Sequence, residues 1–146
     1  MGRRRSFDEH AVVVAAATAF TDLGYEATSV DDLLLATGLQ RGSLYQAFGS
    51  KRGLFLAALQ AHLPAPGGPV AAAGDAVCER AEAMLLDLLL VATLELAPRD
   101  TEVRALVVGA LAQRNGPEQA ALVLGRRLLE RAHIPPAHDR RRDPPP

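Results

Sequence analysis

Residues 28–51 read TSVDDLLLATGLQRGSLYQAFGSK, and the structural signals follow one another closely here. A short helical pattern is followed by a glycine-bearing turn, a second short helical pattern and a serine–lysine start to a third. Gly38 comes just after an apolar-periodic segment, where the C-terminus of a helix favours a residue that tolerates a left-handed backbone. The order of these signals predicts a helix-turn-helix.

The second helix of this motif, from about Gln40 to Phe48, separates apolar from polar side chains. Leu44 and Phe48 are spaced i, i+4 and can anchor one face against a core. The opposite face is rich in hydrogen-bond donors: Gln40, Arg41, Ser43, Tyr45 and Gln46. A helix of this kind fits the major groove of DNA, where the base edges present distinguishable donor and acceptor patterns.

Helical patterns continue on both sides of the motif. A first helix is predicted from about Phe7 to Leu23 and ends at Gly24. Its apolar stripe contains Phe7, Ala11, Val12, Ala16, Ala19, Phe20 and Leu23. The helix that follows can be capped by Thr28 or by Ser29, because an aspartate stands three residues after each of them, and its buried side is predicted from Val30, Leu33, Leu34 and Leu39.

A fourth helix is predicted from a cap at Ser50 to about His62. Its inward-facing residues are predicted to be Leu54, Phe55, Ala58 and Leu59. Gly53 lies in the first turn, where glycine costs up to ~1 kcal/mol relative to alanine. The four helices together predict a compact N-terminal unit.

Together these motifs resemble the N-terminal DNA-binding domain of tetracycline-repressor (TetR) family regulators. Each motif alone is weak, but the combination is specific. The resemblance extends over about residues 7–63, and LELAPRDTEVRALV is a fainter match to the start of the ligand-binding region in some members. The residues that carry it are Phe20, Gly24-Tyr25, Thr28-Ser29-Val30, Gly38-Leu39, Gly42-Ser43-Leu44-Tyr45, Phe48 and Ser50-Lys51.

The resemblance implies a set of contacts with an operator in double-stranded DNA: Thr28, Gln40, Arg41, Gly42, Ser43, Tyr45, Gln46 and Lys51. Arg41 and Gln46 are predicted to read bases, because arginine pairs well with guanine and glutamine with adenine. Thr28, Tyr45 and Lys51 match positions that hold the phosphate backbone, and such contacts set register rather than sequence preference.

The net charge of −1 gives no general indication of nucleic-acid binding, but the distribution of charge does. No acidic residue occurs between Leu33 and Gly74, whereas Arg41, Lys51 and Arg52 lie in that interval. Residues 3–5 are all arginine and are interpreted either as an arm for the minor groove or as a solvated tail. A positive contact face is therefore compatible with a neutral whole.

Four segments are predicted along the chain. Residues 1–63 form the DNA-binding domain, which is a three-helix helix-turn-helix unit with its following helix, and residues 64–74, PAPGGPVAAAG, form a linker. Residues 75–133 form a shortened helical region for effector binding and dimerisation, with helices at about 75–97, 100–113 and 117–132. Residues 134–146 are predicted to be a disordered tail, because they have almost no apolar side chains to bury. The predicted fold class is all-α.

Several other functional classes are disfavoured. The single cysteine, Cys78, provides no disulfide framework, and no signal peptide or membrane-spanning segment is recognised, so a cytoplasmic protein is expected. The four histidines lack metal-site spacing, and no nucleophile–base pair is found, so no metal, cofactor or enzymatic activity is expected.

The C-terminal region is the least informative part. In the resembling family this region binds a small effector and forms a two-fold dimer. Because every aromatic residue lies at or before Phe55, an effector pocket here would be aliphatic, built from residues such as Val77, Met84, Leu85, Leu88, Val91 and Leu106. Asp87 is interpreted as an exposed helix edge, or alternatively as a contact to an effector or a partner helix.

The expected function is that of a sequence-specific DNA-binding regulator. It is expected to be a repressor that acts as a homodimer on a partly palindromic operator, with a possible small apolar effector. The alternative is a helical protein-interaction module from a truncated regulator, with little operator binding or effector response.

Overall fold

The computed structural model describes residues 7–64, 76–113 and 117–134, which form an all-α structure as expected. Within these ranges the elements are helical throughout, and one segment is a π-helix. The α-helices are α1 (Glu9–Leu23), α2 (Val30–Thr37), α3 (Arg41–Phe48), α4 (Lys51–His62), α5 (Ala76–Val91), α6 (Thr101–Ala112) and α7 (Pro117–Arg131). None of the described helices is long and apolar enough to cross a membrane.

Local capping explains where the N-terminal helices begin and end. Of the two caps open for α2, the structure uses Ser29, whose hydroxyl accepts from the backbone N–H of Asp32, while the Asp32 carboxylate accepts from the backbone N–H of Ser29. Gly38 ends α2 with φ 69°, in the left-handed region expected from the sequence. Ser50 caps α4 by accepting from the backbone N–H of Gly53.

One hydrophobic core connects α1 to α6. At its centre the rings of Phe20 and Phe55 meet edge to face with their centroids 5.1 Å apart, and Tyr25 lies against both rings. Leu33 and Leu44 are fully buried, so α2 and α3 turn the predicted sides inward. The prediction is wrong at Ala11 and at Leu23, whose side chains are exposed, while Phe20 and Thr21 in the last turn of α1 are buried.

The helix predicted at about residues 75–97 changes its geometry before it ends. Its α-helical part ends at Val91, and a π-helical segment, Ala92–Leu96, follows. A π-helix shifts the direction of the side chains that follow it, and apolar periodicity does not signal such a shift. Leu96 remains in the core, and Glu95 reaches the N-terminal domain.

The predicted boundary and tail lie largely outside the described residues. The structure does show that the C-terminal helices pack directly against the N-terminal ones, since residues of α5, such as Leu85 and Leu88, belong to the same core as Phe20 and Phe55. The two sequence-defined regions therefore share one hydrophobic cluster.

The structure contradicts the preferred interpretation of Asp87 as part of an exposed helix edge. Its side chain is buried, and its two carboxylate oxygens accept from Arg127 Nε at 2.8 Å and Arg127 Nη2 at 2.6 Å. Arg131 lies 3.4 Å from the same carboxylate and also donates to the backbone carbonyl of Thr21. The hydrogen bonds that Arg127 donates to Asp87 are the main reason that the pKa of its guanidinium is raised. The aspartate thus ties α7 to α5 within this chain.

Candidate nucleic-acid interface

Helix α3 presents a polar surface on the side away from the core. Leu44 is fully buried and Phe48 is half-buried, which fixes the rotation of the helix about its axis. On the outer side Arg41, Gly42 and Gln46 are exposed, and Tyr45 is 43% exposed. Gln40 is the exposed residue before the first turn, and Ser43 is half-buried at the edge.

Gly42 leaves this surface open. A Cβ atom added at this position would meet no heavy atom within 4 Å. Because Gly42 has no side chain, the surface of α3 has a gap between Arg41 and Tyr45. The backbone can approach another surface closely there.

Arg41 is paired with an acidic residue of the preceding helix. Its Nη2 atom donates to Asp31 Oδ1 at 2.5 Å, and the two side chains remain 54% and 80% exposed. The contact joins the first turn of α3 to the first turn of α2 across the turn at Gly38. The sequence had indicated Asp31 only as the aspartate three residues after the candidate cap Thr28, and it did not predict this pair.

Thr28 lies inside the protein rather than on its surface. Its side chain has no exposed area, and its hydroxyl donates to the carbonyl of Gly24 at 2.5 Å. This placement accounts for the threonine structurally, because the hydroxyl satisfies a carbonyl at the end of α1. A phosphate cannot reach its side chain in this conformation.

Lys51 also makes internal contacts. Its ammonium group donates to the carbonyls of Tyr25 and Thr28, both at 3.0 Å, and lies 4.4 Å from the centroid of the Tyr25 ring. Burial is the main reason that the pKa of Tyr25 is raised. The half-buried lysine thereby fixes the segment between α1 and α2 to the start of α4.

Arg52 was counted among the charges of the positive face, but it pairs with two acidic residues far along the chain. Its guanidinium donates to Asp100 at 2.6 and 3.0 Å and to Glu102 at 2.7 Å. The hydrogen bond from Arg52 is the largest reason that the pKa of Asp100 falls to about 2. Asp100 also caps α6, so this cluster links α4 to the start of α6.

Glu95 forms a second link between the two regions. Its Oε2 atom accepts from the backbone N–H of Glu26 at 2.7 Å. Its Oε1 atom lies 2.7 Å from where a Cβ of Gly24 would stand, and Gly24 has φ 86°. The sequence predicted Gly24 as the end of a helix but not its contact with Glu95, because no local pattern around either residue indicates the other.

The cavities differ from the aliphatic pocket predicted from sequence. A groove of about 360 Å³ lies between the end of α4 and α6, and of the predicted residues only Leu106 lines it. Leu85 and Leu88 belong to the core, and Val77 is largely exposed. The residues lining the groove are Gln60, Leu63, Pro64, Ala105, Leu106, Gly109, Ala110 and Gln113.

Comparison with known proteins bears on the N-terminal region. The family model described as bacterial regulatory proteins, tetR family, matches residues 12–58, which extend from α1 into α4. Over 63 residues the chain is 46% identical to the uncharacterized HTH-type transcriptional regulator YezE of Bacillus subtilis. These residues are 43% of this chain and 32% of YezE.

Two further relatives match a similar stretch. The HTH-type transcriptional repressor ComR of Escherichia coli is 44% identical over 62 residues, which are 42% of this chain and 30% of ComR. The HTH-type transcriptional activator FasR of Mycolicibacterium smegmatis is 39% identical over 64 residues, which are 42% of this chain and 29% of FasR. The matches thus cover about a third of the length of these curated relatives.

Proposed function

We propose that this chain, whose residues 12–58 match the tetR family model, is a transcriptional regulator that binds operator DNA with α3 in the major groove. The observation that carries the proposal is the surface of α3. A helix held by the buried Leu44 offers Arg41, Tyr45 and Gln46 outward in two consecutive turns. In a helix-turn-helix this second helix is the one that enters the groove.

The roles within this surface divide by chemistry. Arg41 and Gln46 read base edges, since their side chains carry the donors and acceptors that pair with guanine and adenine. Tyr45 and Lys51 contact phosphates, with Gln40, Gly42 and Ser43 at the border of the contact. Lys51 does so with the third N–H of its ammonium group, since the other two donate to the carbonyls of Tyr25 and Thr28. Thr28 supports the domain from inside, because its buried hydroxyl is already bound to Gly24.

We further propose that the regulator acts in the cytoplasm as a homodimer, and that it represses its target. ComR is named a repressor and FasR an activator, so family membership alone leaves the sign of regulation open. The groove beside Leu106 is a candidate site for a small apolar effector, because the apolar residues Leu63, Ala105 and Ala110 also line it. Whether the protein represses or activates is tested by assays of transcription from a promoter that carries its binding site.

The test of DNA binding begins with selection from a library of random double-stranded DNA by the full chain. Enrichment of a partly palindromic sequence is expected. No enriched sequence would favour the alternative, a protein-interaction module. Affinities of Arg41→Ala and Lys51→Ala are then measured for single-base variants of the selected duplex at two salt concentrations.

Arg41→Ala is expected to cost ~1–3 kcal/mol on the selected duplex and to relax the preference at one base position. Lys51→Ala is expected to weaken all sequences alike and to reduce the salt slope by about 1 per subunit. Uniform weakening by Arg41→Ala, or an altered base preference in Lys51→Ala, would reverse the two assignments.

A further inference from the structure

We propose that Asp31 is a specificity-determining residue: by holding the Arg41 guanidinium, it makes Arg41 discriminate between base pairs at the cost of overall affinity for DNA. The inference rests on the proposed function, because it concerns how the proposed recognition helix reads a base. It starts from the 2.5 Å contact between Asp31 Oδ1 and Arg41 Nη2.

An exposed arginine without a restraint has many rotamers, and DNA offers it two kinds of acceptor. Phosphates are abundant and carry no sequence information, whereas guanine O6 and N7 specify a base. An arginine that reaches a phosphate as easily as a guanine adds affinity and no discrimination. The placement of the guanidinium before DNA arrives therefore matters to specificity.

Asp31 biases this choice in two ways. Its carboxylate fixes one nitrogen of the guanidinium, and the group has five N–H donors, so enough remain for a bidentate contact to guanine. The same carboxylate repels phosphates, and it stands on α2, the helix that crosses the DNA backbone in this motif. A position of Arg41 next to a phosphate is thus penalised relative to a position at a base edge.

A purely structural role for Asp31 has a different consequence. In the first turn of α2, a carboxylate also interacts favourably with the positive end of the helix. If this were the only role of Asp31, removal of its carboxylate would change the stability of the domain and leave base preference unaltered. A general electrostatic role would change the affinity for every duplex by one common factor. Discrimination at one base pair is the readout that separates the three roles.

The experiment is a double-mutant cycle with Asp31→Asn, Arg41→Ala and the combined variant, measured in the full chain on the selected duplex and its single-base variants. Arg41→Ala first identifies the base pair that Arg41 reads. Asp31→Asn is expected to lower discrimination at that base pair by roughly three- to tenfold, a part of the ~5- to 150-fold that one bidentate contact supplies. Its affinity for mismatched duplexes is expected to rise.

In the Arg41→Ala background, Asp31→Asn is expected to change all duplexes by one common factor. Asp22→Asn is the matched control, since it removes another exposed carboxylate that makes none of the described contacts with Arg41. Asp31→Glu keeps the negative charge on a longer side chain, so it is expected to retain part of the discrimination that Asp31→Asn loses. Thermal unfolding followed by circular dichroism verifies that all variants are folded.

Two results would overturn the inference. If Asp31→Asn leaves discrimination unchanged at the base pair that Arg41→Ala relaxes, Asp31 has no part in specificity, although the readout by Arg41 stands. If Arg41→Ala relaxes no base pair at all, both the inference and the proposed role of Arg41 fail. The Arg41→Ala panel therefore distinguishes failure of the inference from failure of the proposed function.

Discussion

At the scale of single residues, side chains that looked alike in sequence have different roles. Arg41, Lys51 and Arg52 all counted as positive charges of a DNA-contacting face. In the structure Arg41 is exposed beside Asp31, Lys51 binds backbone carbonyls, and Arg52 binds carboxylates from the C-terminal region. Their charges are equal, but their availability to DNA is not.

Gly53 gives the first prediction. Sequence propensity treats it as a weak point of α4, yet a Cβ added there would lie 1.9 Å from the backbone oxygen of Phe48. Gly53→Ala is therefore expected to lower the free energy of unfolding by ~1–3 kcal/mol, because backbone must move to relieve the overlap. Urea denaturation measures it.

The control for this prediction is Gly42→Ala, since nothing lies within 4 Å of a Cβ at that position. It is expected to stabilise the free protein by ~0.5–1 kcal/mol through helix propensity. An equal gain in stability for Gly53→Ala would contradict the steric argument.

Lys51 gives a second prediction at the same scale. Lys51→Ala removes a charged donor from the carbonyls of Tyr25 and Thr28. A loss of ~1.5–3 kcal/mol in the free energy of unfolding is expected, as for hydrogen bonds that involve a charged group. The control Arg126→Ala removes an exposed i,i+4 partner of Glu130 and is expected to cost less than ~0.5 kcal/mol. Equal losses in the two variants would contradict the role of Lys51.

At the scale of helices, polar contacts join elements that are distant in sequence. Arg52 of α4 binds Asp100 at the start of α6, and Glu95 of the π-helical segment binds the backbone between α1 and α2. These links bypass residues 64–74, which the sequence predicted to be a linker. If the proposed effector groove and the proposed DNA-binding surface are coupled, these contacts provide a route that does not depend on that segment.

The Arg52–Asp100 contact predicts a dependence of stability on pH. The pKa of Asp100 is lowered from an ordinary value of 3.8 to about 2, chiefly by the hydrogen bond from Arg52. A lowered pKa in the folded state contributes stability above the unfolded value, and this contribution is lost as pH falls through the folded value. The contribution is therefore complete at neutral pH and disappears between about pH 4 and pH 2.

Asp100→Asn tests this dependence with little change to the helix, because asparagine is also a good N-cap. The variant is expected to be less stable than the wild type at pH 7, and the difference is expected to shrink as pH falls towards 2. Urea denaturation at several pH values measures it. A difference that stays constant over this range would show that the charge of Asp100 is not what stabilises the contact.

At the scale of the whole molecule, the C-terminal helices leave apolar side chains uncovered. On α7 Leu122 is 68% exposed, and Leu129, seven residues later on the same face, is 43% exposed. Val108 of α6 is exposed as well. Apolar faces of this kind are typical of protein–protein contact, which supports the proposed homodimer.

At protein concentrations on the order of tens of micromolar, at which even weak complexes form, light scattering is expected to give the mass of a dimer. Leu122→Glu and Leu129→Glu are expected to shift the mass towards the monomer, because a buried unpaired carboxylate is costly. Leu35→Glu is the control, since Leu35 is 87% exposed on α2. Deletion of residues 134–146 is expected to leave the dimer intact. A wild-type chain that stays monomeric, alone and with its selected DNA, would contradict the proposal.

The sequence by itself determined the helices and the core of the N-terminal domain. Caps such as Ser29 and Ser50, the left-handed Gly38 and the i, i+4 pair on α3 are local signals, because helix ends and amphipathic faces depend on residues within one or two turns. The motifs that resemble the tetR family likewise lie in a short stretch, and the family model matches residues 12–58.

Tertiary structure alone decided which charges are free and which residues pair across the fold. The partners of Arg52, Gly24 and Asp87 lie 40 to 71 positions away in the chain. The geometry that joins them depends on how helices pack and on a π-helical segment, and neither leaves a periodic signal in sequence. Helix positions were therefore predictable from local chemistry, whereas the electrostatic surroundings of the proposed DNA-binding surface depend on the packing of the helices.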